Sequence, residues 1–509
     1  MRTFVTDQGR EDIQNRPAQQ SSFKFIIVHG TWASTTRLFS RDGDDDDDDG
    51  DGLAVPKKAS LRLHRSFSDR NDRPSSSQAT SLSAVHVVTL RRVLFCLACI
   101  PAIVLFAILC QGIPPSYDDI RLFERRLPQH AVAARPTRYL KFPGHLWGHG
   151  LNNILQEALL MSYLAYVSNV SYVFEDYTWS HIPLSWSLYG LSLRPTRIPL
   201  NAIISGPTAG GPVPDAPLAV SAEFYQRVCS GPDTTPYILS SANAPNDADG
   251  ADLIDWWQSR LAHVDAQCIE IDSSAHILFD RFLFGGPRIL SLFDPLVASP
   301  ILADFYWSPL VHSAIARNFP LFQPRSAKSL LSSDVSGTLT ELVAVHLRRG
   351  DYVRHCPNLA KWGALYMGIN QHPSLPDQFD PFDFNASDTD AREAYYLQHC
   401  LPSTTQVVHR LAEIRAQHPA LKRVYVLSNE WAWALGELKD ALEKDGWADV
   451  RGTIDLQLDA AQYHVSMAVD MAIAERAEVF VGNGFSSLSS NVVMLRFAKG
   501  MDPSSNRFL

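Results

Sequence analysis

The sequence predicts an α/β fold built on a parallel sheet that helices cover on both faces. From about residue 340 onward, short apolar segments of strand length alternate with longer segments whose apolar residues recur at helical spacing. A buried helix followed directly by a buried strand opens the globular part, which begins near Tyr139. Ligands of such sheets bind beyond the carboxyl ends of the strands, so the residues that follow each strand are the first candidates for a site.

The length and charge of the chain limit its class. At 509 residues it is too long for one ordinary core and suits about two to three domains. The formal charge is −9, but eight aspartates between residues 42 and 51 account for most of it. The rest is close to charge balance, so nothing favours nucleic acid as a partner. Residues 1–92, which contain the acidic run, have the composition of a disordered tail.

A membrane segment is predicted over residues 93–113. This run has 21 residues without a charge, enough to span about 30 Å as a helix. Arg91 and Arg92 precede it, which favours a cytoplasmic N-terminus. We therefore expect a single-pass type II membrane protein of the Golgi or endoplasmic reticulum, with residues 114–138 as a stem and the catalytic part in the lumen. A buried helix of a soluble domain is the alternative.

The cysteines and glycosylation sequons agree with a luminal body. The cysteines outside the membrane segment are Cys229, Cys268, Cys356 and Cys400. An even number in an oxidising compartment predicts two disulfides, with three pairings open. They form no Cys-x-x-Cys motif, so a zinc site is not expected. Asn169 and Asn385 each begin an Asn-x-Ser sequon and are candidate glycosylation sites.

The periodicity of the body gives the predicted elements. Helices are predicted over residues 153–168, 405–417, 431–444, 463–476 and 490–499, and strands over residues 170–174, 342–347, 424–427 and 479–482. Residues 201–220, 240–252 and 357–390 are rich in Gly, Pro or Asp and are predicted to be irregular.

The first candidate site lies directly after the strand over residues 342–347. Arg348, Arg349 and Asp351 follow this buried strand. Guanidinium groups at that position are costly unless an anion is near, and their geometry matches phosphate oxygens. The alternative is a structural ion pair between Arg349 and Asp351.

The second candidate is the Gly- and Ser-rich turn after the strand over residues 479–482. The turn leads into a helix, whose N-terminal backbone N–H groups could hold a phosphate. Ser489 or Ser490 is the expected N-cap, and an ordinary capped turn is the alternative. Together the two turns predict a nucleotide diphosphate bound without a metal, because arginine and the helix N-terminus stabilise the leaving group. A third candidate, the turn over residues 148–154, combines glycines with two asparagines and an imidazole; a plain helix start is the alternative.

These three segments, in this order, resemble the GDP-fucose protein O-fucosyltransferase family and its α1,6-fucosyltransferase relatives, in particular the membrane-anchored fungal branch. The motifs are GHGLNNILQEALLMSYLAYVSNVSYVF, HLRRGD and AVDMAIAERAEVFVGNGFSSLSSNVVML. The resemblance covers residues 139–509 and implies a GT-B fold. Two Rossmann-like domains, residues 139–335 and 336–509, then face each other across a cleft, with GDP mainly on the second.

The resemblance also implies roles for individual residues. Arg348 matches the arginine that contacts the donor β-phosphate, and Asn153 matches an asparagine near the reacting centre. The remaining positions matched to GDP-fucose binding are His346, Asp351, Asp470, Phe485, Ser486, Ser487 and Ser489. The resemblance implies GDP-fucose as the donor substrate, and it implies no cofactor and no metal.

The chain departs from some relatives in the Gly-rich loop, which has no glutamate to act as a base. His149 could take that role near neutral pH, with Glu157 a weaker candidate. An SN1-like departure of GDP without a strong base is the alternative. We therefore expect inverting, metal-independent transfer of fucose to a protein hydroxyl. A glycan-directed fucosyltransferase, another GDP-sugar transferase and an inactive nucleotide-sugar-binding relative remain alternatives.

Overall fold

The structure is a computed structural model. It describes residues 92, 95, 98–106, 108, 112–131, 137–143, 150–189, 192–231, 234–272, 278–279, 281–322, 337–381 and 388–509. Residues 1–91 of the predicted tail over residues 1–92 lie outside the described residues, as do His149 and Asn385.

The first half of the described chain contains a five-stranded parallel sheet. Its strands are β1 Tyr139–Lys141, β2 Ser171–Phe174, β3 Val220–Ser221, β4 Tyr237–Ser240 and β5 Cys268–Asp272. They lie in the order β3-β2-β1-β5-β4. Short antiparallel ribbons pair Tyr177–Thr178 with Arg197–Ile198, Trp186–Tyr189 with Ser192–Pro195, and Ile204–Ser205 with Tyr306–Trp307.

Helices connect and cover this sheet. They are α1 Asp118–Arg125, α2 Leu151–Val167, α3 Ala222–Cys229, α4 Gly250–Leu261, α5 Arg281–Gly285, α6 Phe293–Ala298, α7 Pro300–Ala303 and α8 Pro309–Asn318. Helix α2 is apolar around most of its circumference and is almost entirely buried, as the sequence predicts.

The second half contains another five-stranded parallel sheet. Its strands are β6 Leu339–Leu347, β7 Arg423–Ser428, β8 Asp449–Gly452, β9 Ala477–Gly482 and β10 Asn506–Phe508. Its helices are α9 Tyr352–Trp362, α10 Thr389–Cys400, α11 Thr404–Gln417, α12 Ala432–Lys444, α13 Ala460–Tyr463, α14 Ser466–Arg476 and α15 Ser487–Ala498. The strand order is β8-β7-β6-β9-β10.

This order places a topological switch point between β6 and β9. The chain proceeds from β6 outward to β7 and β8, then returns to the other side of β6 at β9. Connections on the two sides leave a crevice beyond the carboxyl ends of β6 and β9, which is where open α/β sheets bind ligands. Both predicted candidate turns of this half follow these two strands.

The two halves share a continuous apolar core. The largest hydrophobic cluster runs from Leu140 and Leu155 in the first half to Tyr425, Val469 and Val493 in the second. A smaller cluster fills the space between the other face of the second sheet and helices α11 and α12. The parallel class and helical cover predicted from the sequence are therefore confirmed for both sheets.

The predicted elements of the second half are confirmed to within three residues, but one prediction was wrong. The helix predicted over residues 463–476 is α14, which begins at Ser466, after the short helix α13 has ended at Tyr463. The segment 357–390 is not irregular throughout, because α9 extends through Pro357 to Trp362. Helix α9 tolerates the proline because the disulfide at Cys356 and the burial of Leu359 and Ala360 hold it by tertiary contacts.

The cysteine pairing is resolved as Cys229–Cys268 and Cys356–Cys400. The first pair joins α3 to β5, and the second joins α9 to α10. Two disulfides among four cysteines confirm the predicted number and select one of the three open pairings.

Removing the second disulfide should destabilise the chain. Cys356 and Cys400 are 44 residues apart, so the bond restricts a long loop of the unfolded chain. We expect the double serine variant C356S/C400S to lose about 2–4 kcal/mol of unfolding free energy, measured by urea denaturation. An unchanged denaturation midpoint would show that the bond does not stabilise the folded state.

The membrane prediction concerns a segment that is only partly described. Residues 98–106 within the apolar run are helical. No helix in the described part of the chain is long and apolar enough to cross a membrane. The membrane anchor stays a prediction.

Candidate active site

The turn after β6 directs its two arginines to opposite faces of the second sheet. Residues Leu342 and Ala344 of β6 contact the large core with α14 and α15, whereas Val343 and Val345 contact the cluster with α11 and α12. Gly350 has a φ of +55°, a conformation that favours glycine and closes the turn. The turn continues this alternation, since Arg348 pairs with Asp351 on one side and Arg349 faces Glu430 on the other.

Arg348 is bound side-on by Asp351, through the edge of the guanidinium that carries Nε and Nη2. Its Nε donates to Oδ1 at 3.0 Å and its Nη2 to Oδ2 at 2.9 Å, and the guanidinium lies 5.3 Å from the centre of the Tyr352 ring. Burial acts to raise the pKa of Asp351, but the hydrogen bonds and charge of Arg348 outweigh it and hold the pKa below its usual range. Since Nη1 takes no part in this two-point pair, Arg348 retains a donor for an anion.

Arg349 has a different partner from the one the sequence suggested. Its Nε lies 3.8 Å from Oε2 of Glu430, and burial lowers its pKa with only partial compensation from that carboxylate. The alternative that paired Arg349 with Asp351 is therefore wrong, because Asp351 pairs with Arg348. The reason is the alternation of side chains, which puts Arg348 on the same side as Asp351 and Arg349 on the other.

The turn after β9 leads into α15 earlier than predicted. Ser486 has the extended backbone of an N-cap and the helix begins at Ser487, so the expectation of Ser489 or Ser490 as N-cap was wrong. A β-carbon on Gly484 would collide with the ring of Tyr366, which explains the glycine at this close approach. Ser486, Ser489 and Phe485 are buried, and Ser487 is partly exposed.

Two hydrogen bonds connect the turns. His346 Nδ1 and Ser489 Oγ are 2.9 Å apart, and Ser489 Oγ also accepts the backbone N–H of Asn483 at 3.0 Å. Tyr352 Oη donates to the carbonyl of Phe485 at 3.0 Å. The structure thus brings His346 and the Arg348 turn against the start of α15, as the switch point predicts.

His346 is an uncharged structural contact within this site. Burial lowers its pKa to about 3, and the positive charge of Arg348 acts in the same direction. The imidazole therefore stays neutral at physiological pH and adds no positive charge to an anion site. Its contact with Ser489 fixes the spacing between β6 and α15.

Asp470, on α14, is buried and accepts hydrogen bonds from two protein hydroxyls. Tyr425 Oη donates to its Oδ1 at 2.5 Å, and Thr453 Oγ1 donates to its Oδ2 at 2.9 Å. Burial raises the pKa of Asp470 to about 7, although both hydroxyls act to lower it. Its predicted contact with the nucleotide stays a prediction.

The pKa of Asp470 gives a test by pH. A carboxyl whose folded pKa is raised stabilises the fold most at pH values below its unfolded pKa of 3.8 and loses that contribution as the pH rises through about 7. The unfolding free energy of the wild type should therefore fall relative to that of Asp470→Asn between pH 5 and pH 8. Urea denaturation at both pH values measures it. His346 is present in both proteins, so its opposite pH dependence cancels; an equal pH response of the two proteins would contradict the raised pKa.

The Gly-rich loop contributes the start of α2. Asn152 is buried, its carbonyl accepts Asn491 Nδ2 at 2.9 Å, and its Nδ2 lies 3.1 Å from Met467 Sδ. These contacts join α2 to α14 and α15, so Asn152 has a structural role between these helices. Asn153 is half-buried in the same turn and stays the predicted catalytic asparagine. Asn169 is exposed in a turn, where a glycan has room, and it stays a candidate glycosylation site.

Two residues of the site were missed from the sequence. Asn429 Oδ1 accepts the backbone N–H of Arg349 at 2.7 Å, and its Nδ2 lies 3.4 Å from Asp351 Oδ1. Tyr352 connects the two turns, because its Oη donates to the carbonyl of Phe485. Asn429 directly follows β7, the neighbour of β6, so the rule that sites form after strands could have found it.

No group of three or more His, Cys, Asp or Glu side chains in the described ranges is arranged to hold a metal ion.

Comparison with known proteins relates part of the chain to a known family. Residues 323–498 match the family model described as GDP-fucose protein O-fucosyltransferase. No curated protein sequence matched the chain. Among solved structures, POFUT1 in complex with GDP is 16% identical, with 74% of this chain and 99% of that chain covered at a TM-score of 0.41. NodZ alpha-1,6-fucosyltransferase soaked with GDP-fucose is 12% identical, with 71% of this chain and 93% of that chain covered at a TM-score of 0.36.

A third structure is a mutant of Arabidopsis thaliana FUT1 in complex with GDP. It is 11% identical, with 75% of this chain and 78% of that chain covered at a TM-score of 0.35. Residues 323–498 form a domain of the GDP-fucose protein O-fucosyltransferase family, and this match supports a glycosyltransferase that uses GDP-fucose.

Proposed function

We propose that the chain transfers L-fucose from GDP-fucose to a hydroxyl group of a protein, with inversion and without a metal. The observation that carries the proposal is the meeting of the Arg348 turn and the N-terminus of α15 at the switch point between β6 and β9. The proposal includes a GT-B arrangement, in which the acceptor binds on the side of the first sheet and the donor on the second.

The donor diphosphate would lie between Arg348 and the start of α15. Helix α15 has 12 residues, and the N–H groups of its first turn together with its dipole favour an anion there. Asp351 fixes the plane of the guanidinium, so Arg348 needs little reorganisation to contact a phosphate oxygen. As the bond from fucose to the β-phosphate breaks, negative charge grows on the phosphate oxygens and these groups stabilise it.

The acceptor side of the reaction rests on the loop before α2. Asn153 would orient the donor and the acceptor, and His149 would take the proton of the acceptor hydroxyl. His346 is unsuited to that role because its pKa of about 3 and its burial keep it a neutral structural contact. The His149→Ala variant tests the assignment: retention of the wild-type transfer rate would exclude His149 as the base.

A luminal location in the secretory pathway forms part of the proposal. The disulfides Cys229–Cys268 and Cys356–Cys400 support an oxidising compartment, because such bonds are rare in the cytosol. The apolar run over residues 93–113 would anchor the chain as a type II membrane protein. Protease protection of the C-terminal part in sealed microsomes would be expected, and its digestion there would overturn the orientation.

Removal of divalent cations should leave transfer unaffected. Arg348 and the N-terminus of α15 supply positive charge where metal-dependent enzymes use a cation. We expect the full-length protein to transfer radiolabelled fucose from GDP-fucose to an acceptor protein extract at the same rate with and without EDTA. A loss in EDTA that manganese or magnesium restores would contradict metal-independent transfer. Incorporation into glycans alone would show a glycan-directed enzyme, and GDP binding without transfer an inactive relative.

A further inference from the structure

A cavity lies beside the turn after β6, on the side of Arg349 rather than on that of Arg348. Its volume is about 580 Å³, and it opens between the ends of β6 and β7 and the helices α10, α11 and α12. Arg349 and Glu430 line it, whereas Arg348 and the serines after β9 do not. Its size falls in the range of small-molecule sites. The proposed transfer reaction gives this cavity no role.

The charges of the cavity favour a neutral ligand. Arg349 and Glu430 are the only ionisable residues among those that line it, and their charges cancel. Their closest atoms are 3.8 Å apart, so the two groups face each other without a close hydrogen bond. Both side chains are largely buried, which makes each of them a strong donor or acceptor for a polar group placed between them.

The remaining walls combine apolar surface with side-chain amides. Leu397 and Leu401 of α10 and Leu435 and Leu438 of α12 provide the apolar surface, and Gln398 adds an exposed amide. A ligand that fits must therefore present both apolar faces and several hydroxyl groups.

An exposed indole lies next to this cavity in the chain. Trp431 is the N-cap of α12, is 73% exposed and precedes the lining residue Leu435 by one helical turn, so it lies near that end of the cavity without being one of its lining residues. Its backbone N–H donates to Glu430 at 3.0 Å. Trp433 is 67% exposed but lies about 200° around the helix from Leu435 and points elsewhere. An indole combines a large apolar face with a polar N–H, so one next to a polar cavity suits a ligand that has both apolar faces and polar groups.

We propose that this cavity binds a neutral oligosaccharide, at a site separate from the transfer site. A sugar ring presents C–H groups on its faces, which stack on an indole, and hydroxyls at its rim, which bond to guanidinium, carboxylate and amide groups. Trp431 would cover one ring, and Arg349, Glu430 and Gln398 would bond to its hydroxyls. The site should not depend on donor binding, because Arg348 and the serines after β9 do not line it.

Calorimetric titration of full-length protein saturated with GDP tests the proposal. The probes are three neutral trisaccharides: mannotriose, chitotriose and cellotriose. We expect at least one to bind the wild type, Trp433→Ala and Arg348→Ala with equal affinity, and to bind Trp431→Ala at least tenfold more weakly. Gln398→Ala should also weaken binding, and it provides a second variant at an exposed position.

Each other outcome overturns the proposal. Failure of all three probes to bind the wild type would exclude a neutral oligosaccharide. Equal binding by Trp431→Ala and Trp433→Ala would remove the indole from the site. Loss in Arg348→Ala would place the sugar in the transfer site, and tighter binding of 3′-sialyllactose or inorganic phosphate would show an anion site. GDP binding is measured separately, so these results leave the proposed transfer function untouched.

Discussion

The Arg348→Ala variant is expected to transfer fucose at least a hundredfold more slowly than the wild type. Loss of one preoriented donor at the site of developing charge typically costs about 3 kcal/mol in transition-state stabilisation. Arg348 is such a donor, because Asp351 holds two of its nitrogens at 3.0 and 2.9 Å. The measurement is the rate of transfer from GDP-fucose at saturating acceptor extract.

Arg354 supplies the matched control. It lies on α9, close in sequence to Arg348, and is exposed, so Arg354→Ala removes the same charge without touching either turn. It should keep transfer within about twofold of the wild type, since an exposed charge is screened by solvent. Arg348→Lys keeps the charge but loses the planar fork and should lie between the alanine variant and the wild type. Equal rates for Arg348→Ala and Arg354→Ala would remove Arg348 from catalysis.

The Arg496→Ala variant is expected to lose about 3–5 kcal/mol of unfolding free energy. Arg496 is fully buried in α15 and donates to the carbonyls of Ala474, Glu475 and Ala477 and to Asn506 Oδ1, with distances from 2.6 to 3.3 Å. Burial lowers its pKa to about 9, with partial compensation from the Glu475 carboxylate. Truncation would leave these acceptors buried without a donor.

Urea denaturation measures this effect, with Arg125→Ala as the control. Arg125 pairs with Glu223 at 2.9 Å, but both side chains are about half exposed, at 54% and 52%. Exposed pairs contribute about 1 kcal/mol or less, so this variant should unfold close to the wild type. If Arg496→Ala and Arg125→Ala have the same unfolding free energy, the network around Arg496 does not stabilise the second sheet.

The predictable part of the fold followed from local patterns. The strand before Arg348 and the strand before the serine turn are apolar segments of strand length, and the structure places them as neighbours at the switch point. Helix α2 is buried because its sequence is apolar on nearly every side. Such elements depend mainly on their own residues, and their boundaries came out within three residues.

The unpredictable part depended on geometry between distant residues. Asp351 pairs with Arg348 rather than with Arg349 because side chains alternate beyond the end of β6. Arg349 instead faces Glu430, a residue far from it in sequence. The start of α15 falls among Ser486, Ser487, Ser489 and Ser490, all of which can cap a helix, so only the backbone conformation distinguishes them. The link between Asn152 and Asn491 spans 339 residues and left no local signal.

Calorimetric titration of GDP into the full-length wild type and the Arg348→Ala variant tests the central claim most directly. The claim is that the Arg348 turn and the N-terminus of α15 form the diphosphate site. It predicts that the wild type binds GDP and that Arg348→Ala binds it at least a hundredfold more weakly, while Arg354→Ala keeps the wild-type affinity. Wild-type affinity for GDP in Arg348→Ala would contradict it.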